Sequence, residues 1–415
     1  MNTNPMSANV PAGTTVGSSL ASLAPSAAIV RPRLDSVDLL RGLIMVLMAL
    51  DHVRDFFTNV HFNPLDLTQT SAPLFMTRWI THFCAPLFTF LAGTGAFLAT
   101  TRGKTKNQIA WMLLTRGLWL ALLEVTWVRS LGWEFNFNFH SIGVGTLWSI
   151  GWSMVALSAL VYLPTWAVTT FGVVMIFGHN AFDGIKPESF GSLGWLWTVL
   201  HVSGTLQPAP GFRFSVGYPL MPWIGVVAAG YGFGTLLMRG PEERRKWLLR
   251  LGVGMVLLFV VLRFSNLYGN PTPWTPQKNF LWSIFSFIDV HKYPPSLLYL
   301  LMTIGPGLIL LSFLDRGTPQ WMKPFLVFGR VPLFYYLLHI PMIHALAVVV
   351  AWLRFGHAEW LFINPFGSNI APANNGFSLP VVYLVWIGVV LLLYPVCRWF
   401  MGVKYRRRDA WLTYL

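Results

Sequence analysis

Residues 294–315 read PPSLLYLLMTIGPGLILLSFLD, a stretch whose single charge is the terminal Asp315. A run of about 20 apolar residues is what a helix needs to cross the ~30 Å hydrocarbon core of a bilayer. Working outward from it, similar runs recur between polar breaks at 36–57, 79–101, 108–128, 142–162, 164–179, 214–238, 247–266, 325–353 and 378–400. The whole chain agrees: of 415 residues, 54% are apolar and 11% charged, with a mean hydropathy of +0.56. A soluble domain carries about 25% charged residues, and a soluble core of this length would leave too much apolar surface in water. The expected fold class is all-α, a polytopic membrane protein with about ten transmembrane helices. Soluble enzyme folds, disordered scaffolds and nucleic-acid binders are excluded. The two cysteines, Cys84 and Cys397, sit inside apolar runs, which leaves neither a disulfide framework nor a Cys-rich metal site.

The first 33 residues are rich in Ala, Ser, Thr, Pro and Gly and carry no charge before Arg31. They lack the basic start and apolar core of a signal peptide, so the expectation is a disordered cytoplasmic tail followed by a single membrane domain over 34–415. Basic residues decide the sidedness. With ten spans and both termini inside, the cytoplasmic segments include 102–107, 239–250, 316–324 and the C-terminus. These hold Arg244, Arg245, Lys246, Arg316, Lys323 and the Lys404-Tyr405-Arg406-Arg407-Arg408 run. The opposite loops hold few cations. This one-sidedness accounts for the net charge of +14. Segment 190–206 is apolar, short and rich in Gly and Trp; as an eleventh span it would invert the later basic clusters. It therefore reads better as a re-entrant or interfacial helix, as does 279–289.

Ionisable groups inside spans are costly and point to function. The first span carries Asp38, Arg41, Asp51, His52, Arg54 and Asp55. Asp38, Arg41, Met45, Met48, His52 and Asp55 advance by three or four and so share one helix face. Arg41 and His52 are eleven residues apart, about 16 Å along a helix. The second run adds His82, with Arg78 a turn earlier, and the connecting segment adds His61, Asn63 and Asp66. Zinc is one reading of these histidines, but none of them has the close helical spacing of a metal site, and no metal is expected here. General acid–base chemistry fits better: a histidine as base, a carboxylate orienting it and a cation offsetting developing charge. Arg330, His339 and His344 fall in the ninth run, the two histidines reading either as functional or as packing groups with one hydrogen bond each. His140, His179, His201, His291 and His357 read as solvated positions in loops or at span ends, and Glu124 as structural.

The stretch Ser36-Val37-Asp38-Leu39-Leu40-Arg41-Gly42 followed by His52 resembles the opening of acyltransferase-3 membrane enzymes. Later stretches are similar to the heparan-α-glucosaminide N-acetyltransferase-like group of bacterial membrane proteins. They include His82-Phe83-Cys84-Ala85-Pro86, Tyr218-Pro219-Leu220-Met221-Pro222-Trp223, Lys292-Tyr293-Pro294-Pro295-Ser296 and Gly329-Arg330-Val331-Pro332 through His339. The resemblance runs from about residue 34 to the C-terminus.

It implies an acyltransferase of the bacterial cytoplasmic membrane that takes acetyl from cytoplasmic acetyl-CoA and delivers it to an amine or hydroxyl of an extracytoplasmic sugar or glycan. The implied catalytic candidates are His52, His61, His82, Asp51 and Asp55. The acyltransferase-3 pattern favours His52 as base, and the pattern of the lysosomal enzyme of the heparan-α-glucosaminide N-acetyltransferase-like group favours His61. Arg41, Asp38, Arg330 and His339 are the candidates for the CoA side, and a homodimer is a family-level expectation. The alternative class is a secondary transporter of a small polar or sugar-like solute, which also places His and Asp inside spans.

Overall fold

The computed structural model describes residues 34–363, 371–407 and 409–415. The tail expected over 1–33 lies outside the described residues, as do Arg408 and residues 364–370. Helix α1 (Asp35–Phe57) leads to α2 (Ala72–Ile80), a 3-10 turn at Thr81–Phe83 and α3 (Cys84–Thr100). Next come α4 (Lys106–Leu123), which continues as a π-helix over Glu124–Trp133, then β1 (Ser141–Val144), α5 (Thr146–Leu160) and α6 (Thr165–Gly178). The middle of the chain holds α7 (Gly194–Leu200), β2 (Gly204–Ala209), β3 (Phe212–Val216), α8 (Leu220–Leu237) and α9 (Pro241–Ser265). It closes with α10 (Phe280–Ile288), α11 (Leu297–Leu314), α12 (Lys323–Arg330), α13 (Pro332–Phe355) and α14 (Leu379–Arg406).

Among the described residues, seven segments are long and apolar enough to cross a membrane: Ala72–Thr100, Lys106–Trp133, α8, α9, α11, α13 and α14. Helix α5 is apolar but shorter, α6 has 14 residues, and α1 is long enough but heavily charged. Segment 190–206, expected as a re-entrant or interfacial helix, contains the seven-residue α7, about 10 Å long, flanked by a 3-10 turn and the start of β2. Two expectations need correction. The fold is not purely helical, since β1 and β2 both pair with β3 in a small sheet of order β1-β3-β2. Its hairpin turns at Pro210-Gly211, where Gly211 takes φ +76°, and a search for long apolar runs passes over such a signal. The single helix expected over 325–353 is broken at Val331, because Pro332 drives the residue before it out of helical geometry; Val331 sits at φ −131°, ψ 50°.

Helix α1 occupies the centre. Leu39, Leu40, Ile44, Met45, Ala49, Leu50 and Val53 are buried around its whole circumference, against α3, α11, α12, α13 and α14. A helix enclosed on all sides must find partners for its charges within the protein, and this requirement assembles the two polar clusters described below. Helices α1 and α12 meet backbone to backbone. A Cβ on Gly42 would stand 1.9 Å from the Phe325 carbonyl oxygen, and one on Gly329 1.7 Å from the Asp38 carbonyl oxygen. Both neighbours are main chain and cannot rotate away. Gly329→Ala is therefore expected to cost more than the ~1–3 kcal/mol typical of overpacking, measured as a fall in detergent melting temperature and in folded yield. An unchanged melting temperature would mean that the α1–α12 contact is looser than described.

Candidate active site

Both polar clusters lie on α1, one at each end. At the N-terminal end Arg41 donates from Nη1 to Asp38 Oδ1 at 3.3 Å and to the Gly329 carbonyl at 3.2 Å. The break at Val331 makes that carbonyl accessible, because Gly329 lies in the last turn of α12, where carbonyls lack helical partners. Arg330 donates to Asp35 at 2.9 Å, and its Nε stands 3.9 Å from Asp38 Oδ2. Nearby on the same helix end, Ser36 and Arg244 both donate to Asp315, Arg244 through two bonds of 2.9 and 3.0 Å. This cluster ties the starts of α1 and α9 to the ends of α11 and α12 and gathers three guanidinium groups.

At the C-terminal end the spacing Asp51, Arg54, Asp55 places alternating charges on adjacent turns, where i,i+3 and i,i+4 neighbours meet. Asp51 accepts two bonds from Arg78 Nη1, at 2.6 and 2.8 Å, one from Thr81 Oγ1 at 2.9 Å and one from Arg54 at 3.0 Å. Arg54 also donates to Asp55 Oδ1. Asp55 Oδ2 then lies 3.6 Å from His52 Nδ1. Lys292, 9% exposed, adds positive charge to the field at Asp51. Hydrogen bonds thus run from Thr81 and Arg78 through Asp51 and Arg54 to Asp55, and the His52 ring lies next to that end with its Nδ1 making no hydrogen bond.

The His52 ring is held by aromatic neighbours. Trp133 meets it edge-on at 4.9 Å, and the His339 ring lies 5.2 Å away. His339 is fully buried, and its Nδ1 is 2.7 Å from the Tyr336 carbonyl. That bond requires the proton on Nδ1 and leaves Nε2 with its lone pair. His339 was expected with Arg41 and Arg330 on the CoA side; the structure instead sets it beside His52. His344 is similar in kind, with Nδ1 bonded to the Gly132 carbonyl at 2.7 Å and its ring stacked on Phe135.

Not all the expected residues converge. His82 is 1% exposed and packs edge-on against Tyr299, and neither of its ring nitrogens has a hydrogen-bond partner; the hydroxyl of Tyr299 bonds the His82 carbonyl. It backs the Asp51 network without joining its hydrogen bonds. His61 is exposed in the 58–71 loop. Asp66 serves its own turn: bonds from the Thr68 hydroxyl, the Thr68 amide and Gln69 hold its carboxyl below the ordinary value. Glu124 accepts from the Gly145 and Leu147 amides at 3.0 Å each and caps the start of α5. His140, His291 and His357 are exposed as expected, but the same expectation fails for His179 and His201, each 1% exposed. Their segment folds back on itself and against the start of α11, which no local pattern announces. Thr81 and Lys292 were also missed as site residues, while Trp133, expected among the loop aromatics suited to stacking on a sugar, meets His52. Lys292 had a signal, a cation in an otherwise apolar Pro-rich stretch.

The family described as Heparan-alpha-glucosaminide N-acetyltransferase, catalytic, matches this chain over residues 33–264. The matched stretch holds Arg41 and the whole Asp51–Arg78 network but not Arg330 or His339. No curated protein matches the chain.

Proposed function

The chain belongs to the heparan-alpha-glucosaminide N-acetyltransferase catalytic family, and from that premise we propose that it moves acetyl from cytoplasmic acetyl-CoA to an amine or hydroxyl of an extracytoplasmic sugar. As a member of that family it is an acyltransferase-type enzyme and an integral membrane protein. In our reading α1, α5 and α6 complete a set of ten spans with both termini cytoplasmic, in a bacterial cytoplasmic membrane, and residues 34–415 form one catalytic domain. The observation that carries the proposal is that a single unbroken α1 bears a guanidinium cluster at one end and an Asp–His chain at the other. Eleven residues separate Arg41 from His52, about 16 Å, the reach of an extended acyl-pantetheine arm.

Arg41 and Arg330, with Asp38 fixing Arg41, would receive the CoA phosphates, for which guanidinium forks are suited. The arm then follows α1 past Met45 and Met48. Both are buried, so it must displace them, and methionine is the apolar side chain that repacks most readily. With Nδ1 turned to Asp55, His52 has Nε2 available as a base. It takes the proton from the acceptor N–H or O–H as the nitrogen or oxygen attacks the thioester carbonyl carbon. The C–S bond breaks, and the departing thiolate collects the proton from the imidazolium. Arg54 and Arg78 supply positive charge at that end. Direct transfer and a transient acetyl-histidine share these groups. The exposed rings of Phe137 and Phe139 offer stacking surfaces for a sugar.

The test is calorimetric titration of acetyl-CoA into the detergent-solubilised protein, wild type beside Arg41→Ala. We expect micromolar binding that weakens at least about tenfold in the variant, equivalent to roughly 1.4 kcal/mol. A folded wild type that binds no acetyl-CoA would overturn the donor assignment.

A further inference from the structure

Away from the acyl-transfer network, a second group of titratable side chains closes on itself. Helix α6 ends at Gly178 and passes into a 3-10 turn, His179–Phe182, and the chain returns through α7 to His201. One ring nitrogen of His179, one of His201 and a carboxylate oxygen of Asp183 all lie within 4.8 Å of one another. His179 and His201 are each 1% exposed. Neither ring nitrogen of His179 has a hydrogen-bond partner, and Nδ1 of His201 has none either. Each neutral imidazole brings one lone pair, so two buried lone pairs lie here without a donor, which is costly unless something accepts them.

The surroundings are built to hold these donors in place. His201 Nε2 is 2.8 Å from the His179 carbonyl, which puts the proton on Nε2 and frees the lone pair of Nδ1. This bond fixes the His201 ring against the turn that carries His179. Trp197 lies parallel to the His201 ring at 4.8 Å and fixes its plane. Asp183 Oδ2 accepts from Asn180 Nδ2 at 2.8 Å, and Oδ1 stands 3.8 Å from His201 Nε2. Asn180 in turn accepts the Leu297 amide at 2.8 Å, which connects the turn to the first residue of α11.

We propose that His179, Asp183 and His201 bind a divalent transition-metal ion of the zinc class. Two imidazoles and one carboxylate form a borderline donor set suited to zinc, leaving a fourth position for water. At Zn–N and Zn–O distances of about 2.0–2.2 Å, ligand atoms around a tetrahedral ion stand about 3.3 Å apart, so small ring rotations close the present separation. The exposed Asp183 provides access. The ion acts as a staple. It joins the end of α6 to α7, and through Asn180 it holds the start of α11, two residues from the Tyr299 that backs His82. No residue of the acyl-transfer network contributes a ligand, so this inference stands apart from the proposed function.

The experiment uses the full chain, purified in detergent through a tag without histidines, stripped with chelator and dialysed against zinc. Elemental analysis is expected to find about one zinc per chain in the wild type and in a His140→Ala control, and none retained by His179→Ala or His201→Ala. Zinc is expected to raise the melting temperature of the stripped wild type but not of those variants, and cobalt to give the visible absorption of a four-coordinate site. Should either histidine variant fail to fold, Asp183→Asn, at a more exposed position, is expected to fold and bind zinc at least about tenfold more weakly. A folded wild type that retains no zinc and shows no zinc-dependent stabilisation would overturn the proposal. So would zinc that survives unchanged in the folded His179, His201 and Asp183 variants.

Discussion

His52→Gln is expected to lower the rate of acetyl transfer by about 10²–10⁴-fold, the range a positioned general base contributes. Glutamine keeps a polar side chain of similar length between Trp133 and His339, so the variant should fold. Acetyl-CoA binding should stay within about twofold, because Arg41 and Arg330 act at the other end of α1. Asp55 lies 3.6 Å from His52 Nδ1 and is assigned a positioning role. Asp55→Asn should therefore reduce kcat by less than His52→Gln does and leave the KM for acetyl-CoA unchanged. His61→Gln is the necessary comparison, since the resemblance to the lysosomal enzyme points to that position and the residue is exposed in the 58–71 loop. The three variants are measured by single-turnover transfer from labelled acetyl-CoA to an amino sugar in proteoliposomes. If His61→Gln loses transfer while His52→Gln keeps it, the base lies in the loop and the network around Asp51 has another role.

What was legible in the sequence is mostly what depends on one helix at a time. The face shared by Asp38, Arg41, His52 and Asp55 follows from helical period alone, and α1 is continuous from Asp35 to Phe57. The Asp51–Arg54–Asp55 alternation was equally local. The break before Pro332 was available in principle, because the proline itself dictates it, but the apolar run across it hid the stop. Partners brought from elsewhere in the chain were not legible. Arg78 reaches Asp51 across 27 residues, and Tyr299 bonds the His82 carbonyl across 217; neither approach leaves a periodic trace. The same reason hid the burial of His179 and His201. A histidine after an apolar helix reads as the start of a loop, and only the return of α7 and the Asn180–Leu297 bond enclose it. The middle of the α1 stripe also differs from a polar groove: Met45 and Met48 are packed into the core, so the two charged clusters are separate in the structure at rest.

Arg78→Met is expected to produce a large loss of stability. The Arg78–Asp51 pair is mostly withdrawn from solvent, with side chains 15% and 13% exposed. Removing one member of a buried pair costs about 3–5 kcal/mol, because the remaining charge keeps its desolvation penalty and loses its compensation. Here the lower end applies: Asp51 keeps Arg54 and Thr81 as donors, and Lys292 still contributes its charge. The reverse change, Asp51→Ala, strands more, since Arg54, Arg78 and Lys292 then face one another with Asp55 alone among them. The double variant Asp51→Asn/Arg78→Met removes both charges and should recover much of the melting temperature lost by Arg78→Met, since a neutral pair carries no uncompensated charge. Its transfer activity separates two roles. If the chain from Arg78 to Asp55 serves only to satisfy buried charge, activity returns with stability. If it also orients His52, the double variant melts near the wild-type temperature and still transfers slowly, because Arg54 has lost the Asp51 carboxylate that holds it against Asp55. The second outcome is expected, since Arg54 is the only donor bridging the two carboxylates among the described residues.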